Sequence, residues 1–471
     1  MNKIKLTILD ILIIALSLVI FLFLVRQGVK TFPDTNSYLN NSLLRTPPYP
    51  LLLDLFKFLF GSDYLLMIVR FQIILSFFAV LVLSWTIKQY FNLGKLTFYI
   101  IYFILLSPIY SPFVYLSKQL LIANNILSES ITYSLFLLTI TVMVKFIFEL
   151  KLQYLIYVLL CSVLTAMVRP QFLFLYFFDM IIIIYYCYIT MNFVYTLVIG
   201  LLLSLFIFAA SLLVKTYNFI YHGIFAGIPT VGVQLITPQL YLSRPQDIEL
   251  FTNIEEKAWL AKIYEEMVAR QLLSPSDNRI PATINKYYQV YNSIWHDTVF
   301  LTYTNQYTSN QFTPQTFRDY TNQHGKDKVL TSQQFIDLDK ITTSIALKLI
   351  TINYPKFFKL YAHMIINQAS YYISGGYVKN YRESNMIGIF YCSILVWQWC
   401  LFTYLFLKTH KSLFFAFLSI TTLHFMNYGL VGMVEPVMLR YSFYTDTVQL
   451  AFQVVFAFYV IKYMKEWDSK R

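Results

Sequence analysis

Ile11 to Val25 reads ILIIALSLVIFLFLV, and Ile181 to Ile189 reads IIIIYYCYI. A soluble helix hides one apolar stripe and leaves the rest of its surface to water. These runs are apolar all round, and a membrane span needs about 20 such residues. Working outward, the same texture recurs at 8–25, 65–87, 96–115, 131–148, 152–168, 171–190 and 193–214, then at 386–407, 413–431 and 443–462. The expected fold is an all-α polytopic membrane protein with about ten transmembrane helices.

Composition agrees. Charged residues are 13% of the 471, against roughly 25% in soluble domains. The apolar fraction, with Gly counted in place of Tyr, is only about 52%, so arrangement decides more than the average does. A disulfide scaffold, a disordered chain and a soluble enzyme are excluded. The net charge of +12 would suggest nucleic acid in a soluble protein. In a membrane protein Lys and Arg mark topology, and no nucleic-acid partner is expected. Cys161, Cys187, Cys392 and Cys400 lie in apolar segments without CxxC spacing and read as small hydrophobes. No small-residue cleavage site follows the first run, which reads as an uncleaved span.

Basic residues cluster in alternate connections: Lys3 and Lys5, Lys88 and Lys95, Lys145 and Lys151, Lys408 and Lys411, and a tail with Lys462, Lys465, Lys470 and Arg471. The positive-inside rule then puts both termini in the cytoplasm. The connection near Asn192 has no basic residue. The outside receives 26–64, 116–130, the turn at Arg169–Pro170, 215–385 and 432–442. Three units follow: 1–214 with a first outer loop at 26–64, a mostly helical extracytoplasmic domain at 215–385, and C-terminal helices at 386–471. The middle unit carries close to half of the chain's charged residues. Within it, apolar spacing predicts a helix over Asp247–Leu273 through Leu250, Ile254, Leu260, Ile263, Tyr264 and Met267. A second helix starts at Thr331–Ser332 and runs to Ile352, and a third runs from Pro355 to Gly375–Gly376. In the first loop, Leu51–Phe60, polar only at Asp54 and Lys57, suits a helix lying in the interface and ended by Gly61.

The residues that could do chemistry gather on the outer side. Asp34, in Pro33-Asp34-Thr35-Asn36-Ser37-Tyr38, could take a proton from an acceptor hydroxyl, or could be a solvated loop Asp. Glu129, in Leu127-Ser128-Glu129-Ser130, could act similarly, or could simply favour a helix N-terminus that Ser128 caps. Arg169-Pro170 and Glu435-Pro436-Val-Met-Leu-Arg440-Tyr441 place two arginines at span ends. There they either snorkel or grip a phosphate. Arg70 and Asp179, inside the second and sixth spans, read as the two most buried charges. Lys118, His222 and His363 are further outer candidates. There is no HExxH, Walker loop, GxGxxG or GxSxG.

Together these motifs resemble the GT-C membrane glycosyltransferases, which include protein O-mannosyltransferases and the lipid A aminoarabinose transferase. The resemblance rests on Pro33-Asp34-xxx-Tyr38, Arg45-x-Pro47-Pro48-Tyr49-Pro50, Leu127-Ser128-Glu129-Ser130, Arg169-Pro170 and Arg440-Tyr441. It covers mainly residues 1–215, with a weaker echo at 350–375 and 435–445. Many relatives carry Asp-Glu where this chain has Asp34-Thr35, which leaves the use of a divalent metal and a second acidic role for Glu129 open. The resemblance implies GT-C-like architecture and an inverting sugar transfer from a polyprenyl-phosphate-linked donor. The acceptor would be an envelope glycan or a lipid-linked one, on the periplasmic or exterior side of the inner (plasma) membrane. Asp34 would be the base. Arg169 and Arg440 would hold the donor phosphate, with Arg45, Lys118 and His363 in reserve. Tyr38, Tyr441 and Glu435 would line the acceptor side. Two other classes stand beside it. An O-antigen polymerase or ligase would use a pyrophosphate-linked oligosaccharide. A transporter or flippase would show repeated halves and broken spans with midplane polar residues, neither of which is found in the sequence.

Overall fold

The computed structural model describes residues 7–32, 34–110, 121–273, 289–308, 311–324, 329–374, 381–406, 411–434 and 439–468. Among them there is no strand; the nearest approach to one is an isolated parallel bridge between Lys30 and Asn125. Seven segments among the described residues are long and apolar enough to cross a membrane: Ile8–Gln27, Pro48–Tyr90, Glu129–Glu149, Pro170–Thr190, Phe193–His222, Lys411–Gly432 and Tyr441–Lys462. Shorter apolar helices at Lys95–Tyr110, Leu152–Val168 and Met386–Gln398 fall at three further expected spans. The chain is an all-α membrane protein.

The order of elements shows how one end of the helical layer is built. Helix α1 (Ile8–Gln27) starts at a Thr7–Asp10 capping box and ends at Gly28, whose φ of 63° suits glycine. A short α2 (Thr35–Leu39) and then α3 (Pro48–Phe60) follow. Pro47 and Pro48 supply the fixed φ of a helix start, so α3 begins three residues earlier than expected, and Gly61 ends it at φ 56°. Next come α4 (Tyr64–Tyr90), α5 (Lys95–Tyr110), α6 (Glu129–Glu149), α7 (Leu152–Val168), α8 (Phe174–Thr190) and α9 (Phe193–His222). The end of α1, the starts of α4, α6 and α8 and the end of α7 therefore share one face of the layer. After the middle unit, α16 (Tyr381–Phe406), α17 (Lys411–Val434) and α18 (Leu439–Asp468) complete it. One apolar core runs through Leu24, Ile73, Leu137, Leu159, Phe172, Leu423, Tyr444 and Val455. The N-terminal and C-terminal helices thus form a single packed body.

The middle unit contains α10 (Val231–Leu242), α11 (Ile254–Ala269), a π-helix at Ser293–Phe300 leading into α12 (Leu301–Tyr307), α13 (Pro314–His324), α14 (Ser332–Ile352) and α15 (Tyr354–Ser374). Its own core joins Trp259, Ile263, Phe300, Phe317, Leu338 and Leu349, and Leu43 of the first loop enters it. Thr331 caps α14 in a capping box with Gln334, as its sequence suggested.

Several expectations change. The helix expected over Asp247–Leu273 is broken: Pro245–Leu250 forms a separate 3-10 turn, and the Asn253 side chain caps α11 through the N–H groups of Glu255 and Glu256. Leu250 and Ile254 are exposed as a result, while Leu260, Ile263, Tyr264 and Met267 are buried. The boundary placed at 214 falls inside α9, which runs on to His222. Arg70 is exposed, because it lies in the second turn of α4 on the face away from Ile68, Val69 and Gln72. Asp179 is fully buried and accepts a 3.0 Å bond from Ser162. Asp446, which was not singled out in the sequence, is buried too, as is His424, 3.5 Å from it (Nδ1 to Oδ1), and Tyr428 donates to the Asp446 carboxylate at 2.8 Å. Polar residues inside the last spans, which the sequence reading did not find, are therefore present. On α3, Tyr49, Pro50 and Leu53 pack inward and Leu55, Phe58 and Leu59 face out. Asp54 accepts bonds from Asn41 at 3.1 Å and from Tyr221 of α9 at 3.2 Å.

The middle unit offers a direct stability test. A Cβ on Gly232 of α10 would stand 2.2 Å from the Asp339 carbonyl of α14 and 2.3 Å from Thr343 Oγ1. Overpacking of this kind costs about 1–3 kcal/mol. Gly232→Ala is expected to lower the thermal unfolding temperature of the purified protein; an unchanged transition would mean that the two helices do not touch there.

Candidate active site

The first loop is a tied structure. Lys30 N–H donates to the Asn124 carbonyl at 2.9 Å, and Ile126 N–H returns a bond to Lys30 at 3.1 Å. The Asn124 amide caps the end of α1 through the carbonyls of Leu24 and Gly28, both at 2.8 Å. Thr35 adds a 3.2 Å bond to the Ile126 carbonyl. The stretch Arg45-Thr-Pro-Pro-Tyr-Pro50 works as a latch. Thr46 donates to the carbonyl of Val168, the last residue of α7, at 2.8 Å. Tyr49 donates to Gln72 of α4 at 2.8 Å, and Gln72 bonds the carbonyls of Ala123 and Asn125 at 3.1 Å. Prolines set the backbone and two hydroxyls fix its depth.

Two ion pairs stand on this frame. Asp34 Oδ1 lies 2.8 Å from Arg45 Nη2, with side chains 34% and 25% exposed. Arg45 Nε donates to Ser37 Oγ at 2.7 Å, and its guanidinium stacks 4.6 Å above the Tyr38 ring. The Tyr38 hydroxyl lies 3.0 Å from Ser128 Oγ. Ser128 was expected to cap α6. It has helical φ/ψ (−68°, −15°) instead of the extended geometry a side-chain cap requires, and its hydroxyl turns to Tyr38. Next to it, Glu129 Oε1 lies 3.1 Å from Arg169 Nη1, with side chains 0% and 10% exposed. Glu129 is therefore much more than a solvated helix-end carboxylate, although its place in the first turn of α6 still favours its charge. Pro170 explains the extended backbone of Arg169 (φ −147°, ψ 111°).

Arg169 continues the network to the other end of the chain. Its guanidinium lies 5.3 Å from the ring centre of Tyr441 and 5.8 Å from that of Tyr444. Its Nε donates to Gln171 at 3.1 Å. Gln171 donates to Asn427 of α17 at 2.8 Å and to the Tyr441 carbonyl, which Asn427 also reaches at 3.2 Å. Six residues expected from separate motifs, Asp34, Tyr38, Arg45, Glu129, Arg169 and Tyr441, are thus joined into one cluster. Lys118 and Glu435 lie outside the described residues. Only the backbone of Arg440 is described, in the first turn of α18. His363 is half-buried on α15, which packs against α17 and α18. Gln171, Asn427 and Gln72 were missed; each is an amide in or beside an apolar run, a signal that a search confined to charges passes over.

Beside the cluster, Leu173, Phe174, Phe177, Tyr361, Leu395, Phe425 and Met426 help to line an apolar cavity of about 630 Å³. Leu173 follows Gln171 by two residues and Met426 adjoins Asn427, so the cavity lies on the Gln171–Asn427 side of the network. The two carboxylates of the cluster, Asp34 and Glu129, each face an arginine, and among the described residues no three His, Cys, Asp or Glu side chains converge. Comparisons with protein-family models, curated proteins and solved structures find no match to this chain.

Removing one partner of a buried ion pair costs about 3–5 kcal/mol, because the other charge is stranded. Arg169→Met and Glu129→Gln are each expected to lower the unfolding temperature strongly in detergent. The double variant should recover most of the loss. Additive losses in the double variant would show that the two side chains do not interact.

Proposed function

We propose that this chain is an inverting membrane glycosyltransferase of GT-C-like architecture that takes its sugar from a polyprenyl-phosphate-linked donor. The observation that carries the reading is the joining of Asp34, Arg45, Glu129 and Arg169 at one end of the helical layer, next to an apolar cavity. A polyprenyl phosphate has the matching halves: a charged head for the cluster and a hydrocarbon tail for the cavity. Ten crossings with both termini in the cytoplasm would put the cluster and the middle unit on the exterior face of the plasma membrane. An envelope glycan or a lipid-linked glycan would be the acceptor.

In this reading the acceptor hydroxyl loses its proton to the Asp34 carboxylate as its oxygen attacks the anomeric carbon. The bond from that carbon to the phosphate oxygen breaks on the opposite side, and the configuration inverts. The leaving polyprenyl phosphate keeps the electron pair, so it needs positive charge more than a proton. Arg45 suits that role better than Arg169, because its pair with Asp34 is partly exposed whereas Arg169 is buried against Glu129. Arg169 then acts by positioning: it fixes the start of α6, and through Tyr38 the floor of the first loop. No step is routed through a metal.

A flippase reading has one observation in its favour, the buried His424–Asp446–Tyr428 group within the last helices. Movement of a lipid-linked glycan across vesicles without sugar transfer would favour it.

Loss of a general base typically costs 10²- to 10⁴-fold in rate. Asp34→Asn is expected to fold and to bind an isoprenyl-phosphate donor while sugar transfer from that donor falls by about that factor. Transfer at near wild-type rate would remove Asp34 from the chemistry. For topology, Lys262→Cys in the middle unit should react with an impermeant maleimide added outside intact cells. Protection there would reverse the proposed orientation.

A further inference from the structure

A carboxylate oxygen held 2.8 Å from a guanidinium is less able to take a proton, because one of its lone pairs already faces a charged donor. The proposed base is in that state here, and its partner is the cation best placed for a phosphate. We infer that Arg45 is shared: donor phosphate draws it away from Asp34, so that arrival of the donor both fills the phosphate site and uncovers the base. This rests on the donor class proposed above.

Three observations support the exchange. Both members of the pair are partly solvent-facing, at 34% and 25%, so moving one of them leaves no stranded buried charge. The Glu129–Arg169 pair, at 0% and 10%, could not exchange at similar cost. Arg45 also keeps two contacts that do not depend on Asp34, its 2.7 Å bond to Ser37 and its place over the Tyr38 ring. These form a pivot that lets the guanidinium turn without leaving the loop. A guanidinium also binds carboxylate and phosphate with the same paired N–H geometry, so one anion can replace the other. Without a donor, the closed pair would keep water from using the base.

The test is a binding cycle with farnesyl phosphate as probe and farnesol as the control lacking the phosphate, on the full chain in nanodiscs. Exchange predicts that Asp34→Asn binds farnesyl phosphate more tightly than wild type, because Arg45 no longer has to leave a partner. An exposed pair of this strength corresponds to about a two- to fivefold gain. Arg45→Gln should weaken binding by about tenfold or more, and Arg45→Lys by less. The gain from Asp34→Asn should shrink in the Arg45→Gln background. An equal gain in that background would mean simple repulsion between carboxylate and phosphate, and would overturn the exchange. Weaker binding by Asp34→Asn would mean that Asp34 aims Arg45 at the phosphate, which overturns it too. If farnesyl phosphate binds no better than farnesol to wild type, the donor class falls and this inference falls with it.

Discussion

A carboxylate and a guanidinium facing each other inside an apolar layer, Glu129 against Arg169, set the constraint on which the arrangement of this end depends. Neither charge tolerates that environment alone, so the start of α6 and the end of α7 must stay together. Pro170 fixes the chain direction after Arg169, and Gln171 carries the link to α17 and α18. Ser128, one residue before Glu129, receives Tyr38 and with it the first loop. Segments far apart in sequence are thereby held to one depth, and Asp34 and Arg45 sit on top of that frame.

Much of the fold was legible because membrane spans are written in bulk hydrophobicity, which survives without tertiary context. The start of α14 at Thr331 and the end of α3 at Gly61 were legible for another reason: a capping hydroxyl and a glycine act locally. What was not legible depended on burial. Arg70 and Asp179 look alike in a hydropathy trace, yet one faces outward and the other inward, since a rotation of half a helical turn decides it. Leu250 and Ile254 fit a helical period, but the chain breaks after Leu250 and Asn253 caps a new helix that starts at Ile254, which leaves both side chains exposed.

The candidate site divides along the same line. Residue type and order along the chain were enough to single out Asp34, Glu129, Arg45 and Arg169. Their pairing was not, because it depends on which helix ends meet. Glu129 and Arg169 were read as acting separately, one as a second carboxylate for the chemistry or a helix-end charge and the other on a phosphate. Each turns out to be the other's partner, which moves the phosphate-binding role in the proposed mechanism towards Arg45. His424 and Asp446 went unread because neither stands in a loop motif; a scan for ionisable residues inside the last two spans would have found them.

In the proposed mechanism this tied end of the layer receives the phosphate of an isoprenoid-linked sugar. A density map of the protein with a bound polyprenyl phosphate would locate that group. Phosphate density is expected within hydrogen-bonding reach of the Arg45 guanidinium, with the Asp34 carboxylate turned away from it and the lipid chain running into the cavity lined by Phe174, Phe177 and Phe425. Phosphate density at the opposite end of the layer, beside Lys88 and Lys151, would contradict that mechanism.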